Sequence, residues 1–464
     1  MTSASNSDSF LQLFIRQQEK RQEILLRPIK DRIKVLSNME KALHRYRDSF
    51  REVLYLDFKK PNQETDLTEL YPVLSEIRHV KSNLRNWARP QIIPNNLAFT
   101  GTRSKVTRNG KGVCLVISPW NYPVSLTLGP LVSAIAAGNT VIIKPSELTP
   151  NTSALLKQFV SELFPEDEVA LVEGDKSMAE KLLQLPFDHI FFTGSKIAGK
   201  KVAQEAASSF ASVTLELGGK SPVYIHHDAD IPDAVSKLTA SKLVNAGQTC
   251  VAPDYILVHH DVKQELIEGL QESFKTFYDK HHRGDQKNFA SIISTKHYER
   301  LEKLTPGIKQ PNDLKMGLLF EPILVSEFSM DSDLMKEEIF GPVLPVIGVY
   351  NEAEALKVIH SIPEPLSVYI FTASREIKRF FTNNTRSGSI CFNDCAVQFL
   401  HPGLPFGGIR ESGIGRSHGY AGFKAFSNER VIFEQRVGFT MAKLLYPPYN
   451  PMKKKIIEWL LKYF

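Results

Sequence analysis

Residues 113–144 read VCLVISPWNYPVSLTLGPLVSAIAAGNTVIIK, and this stretch decides the fold. Val113–Ile117 and Thr140–Ile143 are short apolar runs rich in β-branched residues. Between them Leu126–Ala137 keeps helical spacing. A strand, a helix and a second strand in so few residues describe a crossover unit. Its strands are parallel and buried on both faces.

Outward from this unit the alternation continues. His189–Thr193 and Val213–Leu217 are further strand candidates, with a helical stretch at Gly199–Phe210. After Gly219 a second series follows: Val223–His226, Ile256–His259, Pro322–Val325, Leu344–Val349 and Val368–Thr372. A long helical pattern, Val262–Tyr278, lies among them. Two α/β units in series are expected, each a sheet covered by helices. Upstream, Ile29, Ile33, Leu36 and Leu43, then Val73, Ile77, Val80, Leu84 and Trp87, keep helical spacing, so the first hundred residues read as helices. Pro90 and Pro94 close that region.

With 464 residues the chain has room for about three domains. Composition is ordinary, 42% hydrophobic and 23% charged, which excludes a disordered or collagenous chain. Four cysteines, Cys114, Cys250, Cys391 and Cys395, are too few for a disulfide framework and point to a reducing compartment. No apolar run reaches the length of a membrane span, and Met1 to Arg21 holds no signal-peptide core. A soluble cytoplasmic protein is expected. Net charge is +6, but residues 436–464 hold six Lys or Arg against Glu458 alone. The body is near neutral, which argues against nucleic-acid binding.

Five motifs carry chemistry. Cys250 follows Gly247-Gln248-Thr249. Alone it reads as a small buried hydrophobe or as a nucleophile, and the glycine permits a tight turn that presents a thiol. Glu216, in Leu215-Glu216-Leu217-Gly218-Gly219-Lys220, sits in an apolar strand. It is paired, with Lys220 as the near candidate, or it is functional. Pro119-Trp120-Asn121-Tyr122 ends the strand Val113–Ile117, where ligands bind in open α/β sheets. Asn121 reads as a turn former or an amide donor. Thr193-Gly194-Ser195-Lys196 runs from a strand into a helix and suits a pyrophosphate. The glycine-rich Gly413–Gly419 run has the wrong spacing for a dinucleotide fingerprint and is discounted. Glu337-Glu338-Ile339-Phe340-Gly341-Pro342 sets a carboxylate beside a ring.

In this order, together with Lys144-Pro145-Ser146-Glu147 and Pro405-Phe406-Gly407-Gly408, the motifs resemble the aldehyde dehydrogenase superfamily over about residues 10–435. Asp57-Phe58-Lys59-Lys60-Pro61 and Val251-Ala252-Pro253-Asp254-Tyr255 resemble its class 3 group, which includes fatty aldehyde dehydrogenases. The resemblance implies a Rossmann-like cofactor domain from 1–88 and 113–217, and an α/β catalytic domain from 218–408. It also implies a small β bridging arm from 89–112 and 409–437, and a homodimer. Residues 438–464 form a basic amphipathic tail.

The resemblance gives each residue a role. Cys250 is the nucleophile, Glu216 the general base and Asn121 the oxyanion donor. Lys144 and Glu147 lie by the adenine ribose, and Gly194 and Ser195 by the pyrophosphate. Glu338 binds the nicotinamide ribose, with Phe340 beside it. Ser118, Trp120, Gly199 and Gly218 complete the cofactor site. Tyr122, Phe399 and His401 are expected around an apolar substrate funnel. The expected chemistry is oxidation of aldehydes, medium- or long-chain or aromatic, to acids with NAD or NADP. It runs through a thiohemiacetal and a thioester on Cys250. Glu216 or a helix N-terminus is expected to help form the thiolate. Glu147 favours NAD without deciding it. Two alternatives stay open: acyl transfer to coenzyme A, and a binding protein that has lost the chemistry. No metal is expected, since no His/Cys cluster shows ligand spacing.

Cys114 reads as core. Cys391 and Cys395 read as two ordinary thiols or as a reversible disulfide near the substrate mouth. In the tail, Lys455, Glu458 and Lys462 form one polar stripe on a helix otherwise covered by apolar residues. Thirteen residues rise about 20 Å, too little to span a bilayer. Two readings stand: a cap over the funnel of a dimer, or a helix resting on an anionic membrane surface.

Overall fold

The computed structural model describes residues 4–96, 99–282, 289–308, 310–311 and 315–463. β1 (Gln91–Ile93) and β2 (Arg103–Gly110) follow the N-terminal helices. β3 (Val113–Ile117), β4 (Thr140–Lys144), β5 (Val169–Leu171), β6 (His189–Gly194) and β7 (Ser212–Leu217) form the first series. The second is β8 (Pro222–Ile225), β9 (Tyr255–His259), β10 (Ile323–Val325), β11 (Val343–Val349), β12 (Ser367–Phe371) and β13 (Ser389–Phe392). β14 (Gly413–Ile414) and β15 (Ser427–Glu434) close the chain's strands.

Each series makes one sheet. The first has order β14-β7-β6-β3-β4-β5, parallel except for β14. The second has order β10-β11-β9-β8-β12-β13 and is parallel throughout. Their strands are nearly continuous apolar runs because helices bury both faces. The nine strand candidates read from sequence all fall on these two sheets. A third sheet, β1-β2-β15, is antiparallel and largely exposed. Part of the stretch expected in the arm lies elsewhere: Gly413 and Ile414 pair with Glu216 and Leu215 at the edge of the first sheet.

Among the described residues, no helix is long and apolar enough to cross a membrane. The helix Pro451–Tyr463 buries none of its residues, leaving Trp459, Leu461 and Tyr463 exposed. Cys114 is fully buried in β3, as expected.

Candidate active site

The loop before Cys250 is bent backwards. Asn245, Ala246 and Gly247 are three consecutive residues with φ of 55°, 51° and 70°. Such backbone costs about 1–3 kcal/mol per non-glycine residue and persists only where its surroundings enforce it. Here they do. Asn245 Nδ2 donates to the carbonyls of Asn121 (2.9 Å) and Gln248 (3.1 Å). Gln248 donates to the carbonyls of Asn245 and Ser291, and accepts from Ile293 N–H, each at 3.0 Å. Gly247 has no room for a side chain, since a Cβ would lie 2.4 Å from the Gly341 carbonyl oxygen. The turn presents Cys250 at the junction of three cavities.

The first cavity, of about 250 Å³, is lined by Trp120, Asn121, Glu216, Cys250, Glu338 and Phe340, among others. Asn121 Nδ2 donates to the Gln248 carbonyl at 3.1 Å, which uses one of its two amide hydrogens. Glu216 is 5% exposed. Ser417 Oγ donates to one of its oxygens at 3.0 Å, and the other is buried with no partner. Burial pushes its carboxyl up to about 8, against the pull of Ser417 and Arg416. The Lys220 pairing considered from sequence does not occur. Lys220 is committed to Asp254 and to the Leu334 and Glu337 carbonyls.

Glu338 also has a buried oxygen without a partner, and burial raises it to about 8. Arg300 grips the Glu338 and Ile339 carbonyls, and Asp254 accepts from Ile339 N–H at 2.9 Å. Phe340, at φ 50°, packs edge-on against Trp120 with ring centroids 5.4 Å apart. A Cβ on Gly218 would lie 2.0 Å from the Glu338 carboxylate, so only glycine lets that carboxylate approach. Buried acceptors beside a glycine cradle and the Ser195-capped start of the helix Lys196–Ser208 fit a dinucleotide.

Other expected cofactor residues are placed as follows. Lys144 is buried at the end of β4, with Nζ 2.6 Å from the Pro145 carbonyl and 3.4 Å from Glu147. Gly194 and Ser195 line the first cavity. Ser118 Oγ is tied to Thr127 at 2.6 Å. Gly199 is buried in the helix, where a Cβ would strike Leu217 at 2.5 Å. Its observed role is close packing of helix on strand.

The second cavity, about 240 Å³, is apolar. Leu67, Tyr122, Leu126, Val244, Phe399 and Leu400 line it, with Cys250 shared. Tyr122 hydroxyl is taken up by Thr249 Oγ1 at 2.5 Å. His401 lies on the exposed loop beyond Leu400, its Nδ1 accepting from Gly403 N–H at 3.1 Å, and does not line this cavity. Cys395 is a buried wall residue, and both it and Cys391 are free thiols.

The Cys250 thiol is pushed up to about 12 by burial, then by Glu338 and Glu216. Where ionised, Glu216 adds to this upward push, since a carboxylate near a thiolate is like charge beside like charge. The expectation about metal-ligand spacing is amended. His259, His260 and Asp261 bring ligand atoms within 4.8 Å of one another. His259 ends β9 and His260 and Asp261 follow it, whereas Cys250 precedes the strand, so the cluster lies at its opposite end.

Sequence reading missed the support beneath this site. Lys60 and Glu69 are fully buried and paired at 2.7 Å. Lys60 Nζ also donates to the Asn121 carbonyl at 3.2 Å, and Glu69 accepts from Val124 and Ser125 N–H. Glu64, raised to about 7 by burial, accepts from Asn245 N–H at 2.7 Å. The carboxylates come from a short helix that passes into a π-turn, Asp66–Leu70. The signal was Lys60 in the quoted Lys59-Lys60-Pro61, read only for its resemblance.

The model of the aldehyde dehydrogenase family matches residues 8–432. The chain is 38% identical over 432 residues to the 4,4'-diaponeurosporen-aldehyde dehydrogenase of Staphylococcus aureus, covering 91% of this chain and 92% of that protein. It is 34% identical over 446 residues to mouse aldehyde dehydrogenase family 3 member A2, covering 94% and 91%. The substrate-bound state of Staphylococcus aureus AldH superposes with a TM-score of 0.92 at 35% identity, covering 97% of this chain and 99% of that one. A Mycobacterium tuberculosis aldehyde dehydrogenase complexed with NAD+ gives 0.84 at 25% identity, covering 95% and 92%. The chain belongs to the aldehyde dehydrogenase family, class 3-like, and is an enzyme that oxidises aldehydes to carboxylic acids with NAD or NADP.

Proposed function

We propose that Cys250 is the nucleophile, Glu216 the general base and Asn121 the oxyanion donor in the oxidation of apolar aldehydes. The observation that carries this is the position of Cys250, shared by an apolar cavity and by the cavity of Glu216, Asn121 and Glu338. An aldehyde entering between Tyr122 and Phe399 meets the thiol with its hydrocarbon part out of water. Asn121 and the Cys250 N–H hold the oxyanion, each such donor being worth about 2.7–4 kcal/mol. When bound, the oxidised nicotinamide supplies a cationic ring and the acceptor for the hydride. Glu216 then takes a proton from the water that attacks the Cys250 thioester.

Glu338 is the ligand for the nicotinamide ribose, with Phe340 and Trp120 packed beside it. Gly194, Ser195 and the following helix start take the pyrophosphate, and Lys144 with Glu147 the adenine ribose. Gly218 makes room for Glu338. NAD and NADP both remain substrates for the test.

A buried base with a free oxygen supports release of acid by water over transfer to coenzyme A. Initial rates with aliphatic aldehydes from short to long and with benzaldehyde, each with NAD and NADP, test the substrate reading. Efficiency is expected to rise with chain length. A flat profile would defeat the apolar-funnel assignment, and acyl-coenzyme A as product would defeat the assignment of Glu216.

The exposed arm sheet, with Ile92, Val431 and Phe433 open to solvent, supports a homodimer through the bridging arm. The tail helix carries Lys454, Lys455 and Lys462 beside an exposed apolar face. It is suited to peripheral contact with an anionic membrane. Light scattering tests the dimer, and vesicle sedimentation with residues 452–464 removed tests the helix.

A further inference from the structure

Glu216 and Cys250 also line a third cavity, of about 50 Å³, together with Glu76, Phe406, Ser417 and His418. Most of its wall is apolar, but it has room for a water molecule, for which Glu76, Glu216 and Ser417 are polar partners. Its titratable lining is Glu76, Glu216, Cys250 and His418, with Arg416 acting on Glu216 from the side. The chemistry proposed above makes no use of Glu76.

Glu76 is 5% exposed, on the helix Tyr71–Trp87. One of its oxygens accepts from Gly419 N–H at 2.8 Å. His79, one turn along the same helix, also lies against that glycine: a Cβ on Gly419 would be 3.1 Å from its Nε2. His79 is half-buried, and burial pushes its imidazole below the ordinary range. Glu216 and Glu76 thus share one cavity, and His79 follows Glu76 by one turn of the helix on the way to the surface. The apolar funnel offers no comparable route, since Cys395 and Tyr122 are its only other titratable lining residues.

Hydrolysis of a thioester leaves a proton on the base, and each turnover must clear it. We propose that Glu76 carries the proton taken by Glu216 out to solvent, through water in this cavity and on to His79. This rests on the reading of Glu216 as the general base. The O–H bond of the attacking water breaks as its oxygen bonds to the thioester carbon, and that proton goes to Glu216; the C–S bond then breaks, the second proton of the water returns to the Cys250 sulfur, and the product leaves as a carboxylate. Protonated Glu216 gives it to cavity water, which passes a proton to the Glu76 carboxylate. Glu76 passes one to His79, and His79 to bulk water. No electrons move, and every group returns to its starting state. Burial holds Glu216 to about 8 and Glu76 to about 7, close enough for exchange in both directions. His418, pushed down to about 4 by burial and packed against Phe399 and Phe406, stays neutral and stores no proton.

The test uses the full chain and p-nitrophenyl hexanoate. The burst reports acylation of Cys250, and the steady phase reports hydrolysis of the acyl-enzyme. Glu76→Gln keeps an acceptor for Gly419 and loses the proton site; Glu76→Asp does the reverse. A relay predicts an unchanged burst in both, a steady phase about tenfold slower in the Gln variant, and restoration by rising imidazole buffer. It also predicts Asp faster than Gln. Gln as fast as the parent, Asp slower than Gln, or no effect of buffer overturns it. Should neither variant give a burst, His79→Asn takes the same comparison, and an unchanged steady phase there overturns the relay. Glu216→Gln run in parallel separates the two claims. If its steady phase survives, the base assignment itself falls; if it is lost while Glu76→Gln is unaffected, only the relay falls.

Discussion

Ser417 Oγ donates to Glu216 Oε1 at 3.0 Å across 201 residues of chain. β14 makes this possible: it pairs with β7 just ahead of Ser417 and returns the chain beside the carboxylate. One oxygen of Glu216 is thereby held, and Oε2 stays buried and unpartnered. A fixed carboxylate with one free oxygen is what a base needs to take a proton from water at a set angle.

Ser417→Ala removes a donor that favours the charged form of Glu216. The carboxyl then rises further above about 8, and less of it is ionised at neutral pH. Hydrolysis of the acyl-enzyme is expected to slow several-fold at pH 7 and to recover in alkaline buffer. A pH–rate profile that keeps its midpoint would count against the bond's role.

Glu216 also sets a pH dependence of stability. Its folded value, about 8, lies above the ordinary 4.5, so the folded state holds a proton that the unfolded chain has released between those limits. Stability from this group is present below about 4.5 and is lost as pH rises through about 8. Glu216→Gln lacks that loss. Its Tm is expected to gain on the parent between pH 5 and pH 9, while acyl-enzyme hydrolysis falls at least about a hundredfold.

Cys250, held up to about 12 by burial and by Glu338 and Glu216, is a protonated thiol at neutral pH. Alkylation by iodoacetamide in the free enzyme is expected to be slow at pH 7 and to climb steadily through pH 10. Adding NAD should accelerate it at neutral pH, because a cationic ring favours the thiolate. A rate already on a plateau near pH 8 would contradict this.

Gly218→Ala places a methyl 2.0 Å from the Glu338 carboxylate, which must swing away. Cofactor binding is expected to weaken at least about tenfold, or about 1.4 kcal/mol. Titration of NADH fluorescence measures it, and esterase acylation of Cys250 serves as the control that stays intact.

The parallel sheets were legible because each strand is a local apolar run. The strands not read as such runs are of two kinds. β5 and β13 are edge strands of three and four residues, each paired with one neighbour only. β2 and β15, RSKVTRNG and SNERVIFE, were expected only through the resemblance, as the β arm of 89–112 and 409–437; they are exposed and charged, and exist because Arg103 to Gly110 pairs with Glu434 to Ser427. Nothing local announces such a partner. Cys250, Glu216 and Asn121, the residues proposed to react, stand out as motifs, but Ser417 and Glu76 do not. Both act through contacts hundreds of residues away, and their segments read as a glycine-rich loop and as the polar face of a helix. His401 was expected at the funnel because it lies just before Pro402-Gly403-Leu404-Pro405-Phe406, and the turn after Leu400 leaves it out of the cavity wall.

Lys60 and Glu69 form the deepest polar contact under the site. Both are fully buried, and between them they hold Asn121, Val124 and Ser125 by the backbone. Lys60 also lies over the Tyr122 ring, 4.2 Å from its centroid. Lys60→Met keeps the aliphatic stem and leaves Glu69 without its partner. Removing one member of a buried pair costs about 3–5 kcal/mol, so the Tm should fall by several degrees. The loop that carries Asn121 loosens at the same time, and kcat should fall more than KM rises. The double variant Lys60→Met with Glu69→Gln removes both charges and should regain much of the Tm. It should not regain kcat, because the Asn121 carbonyl has still lost Lys60 and is held by Asn245 Nδ2 alone. Recovery of both together would mean that the pair serves stability alone.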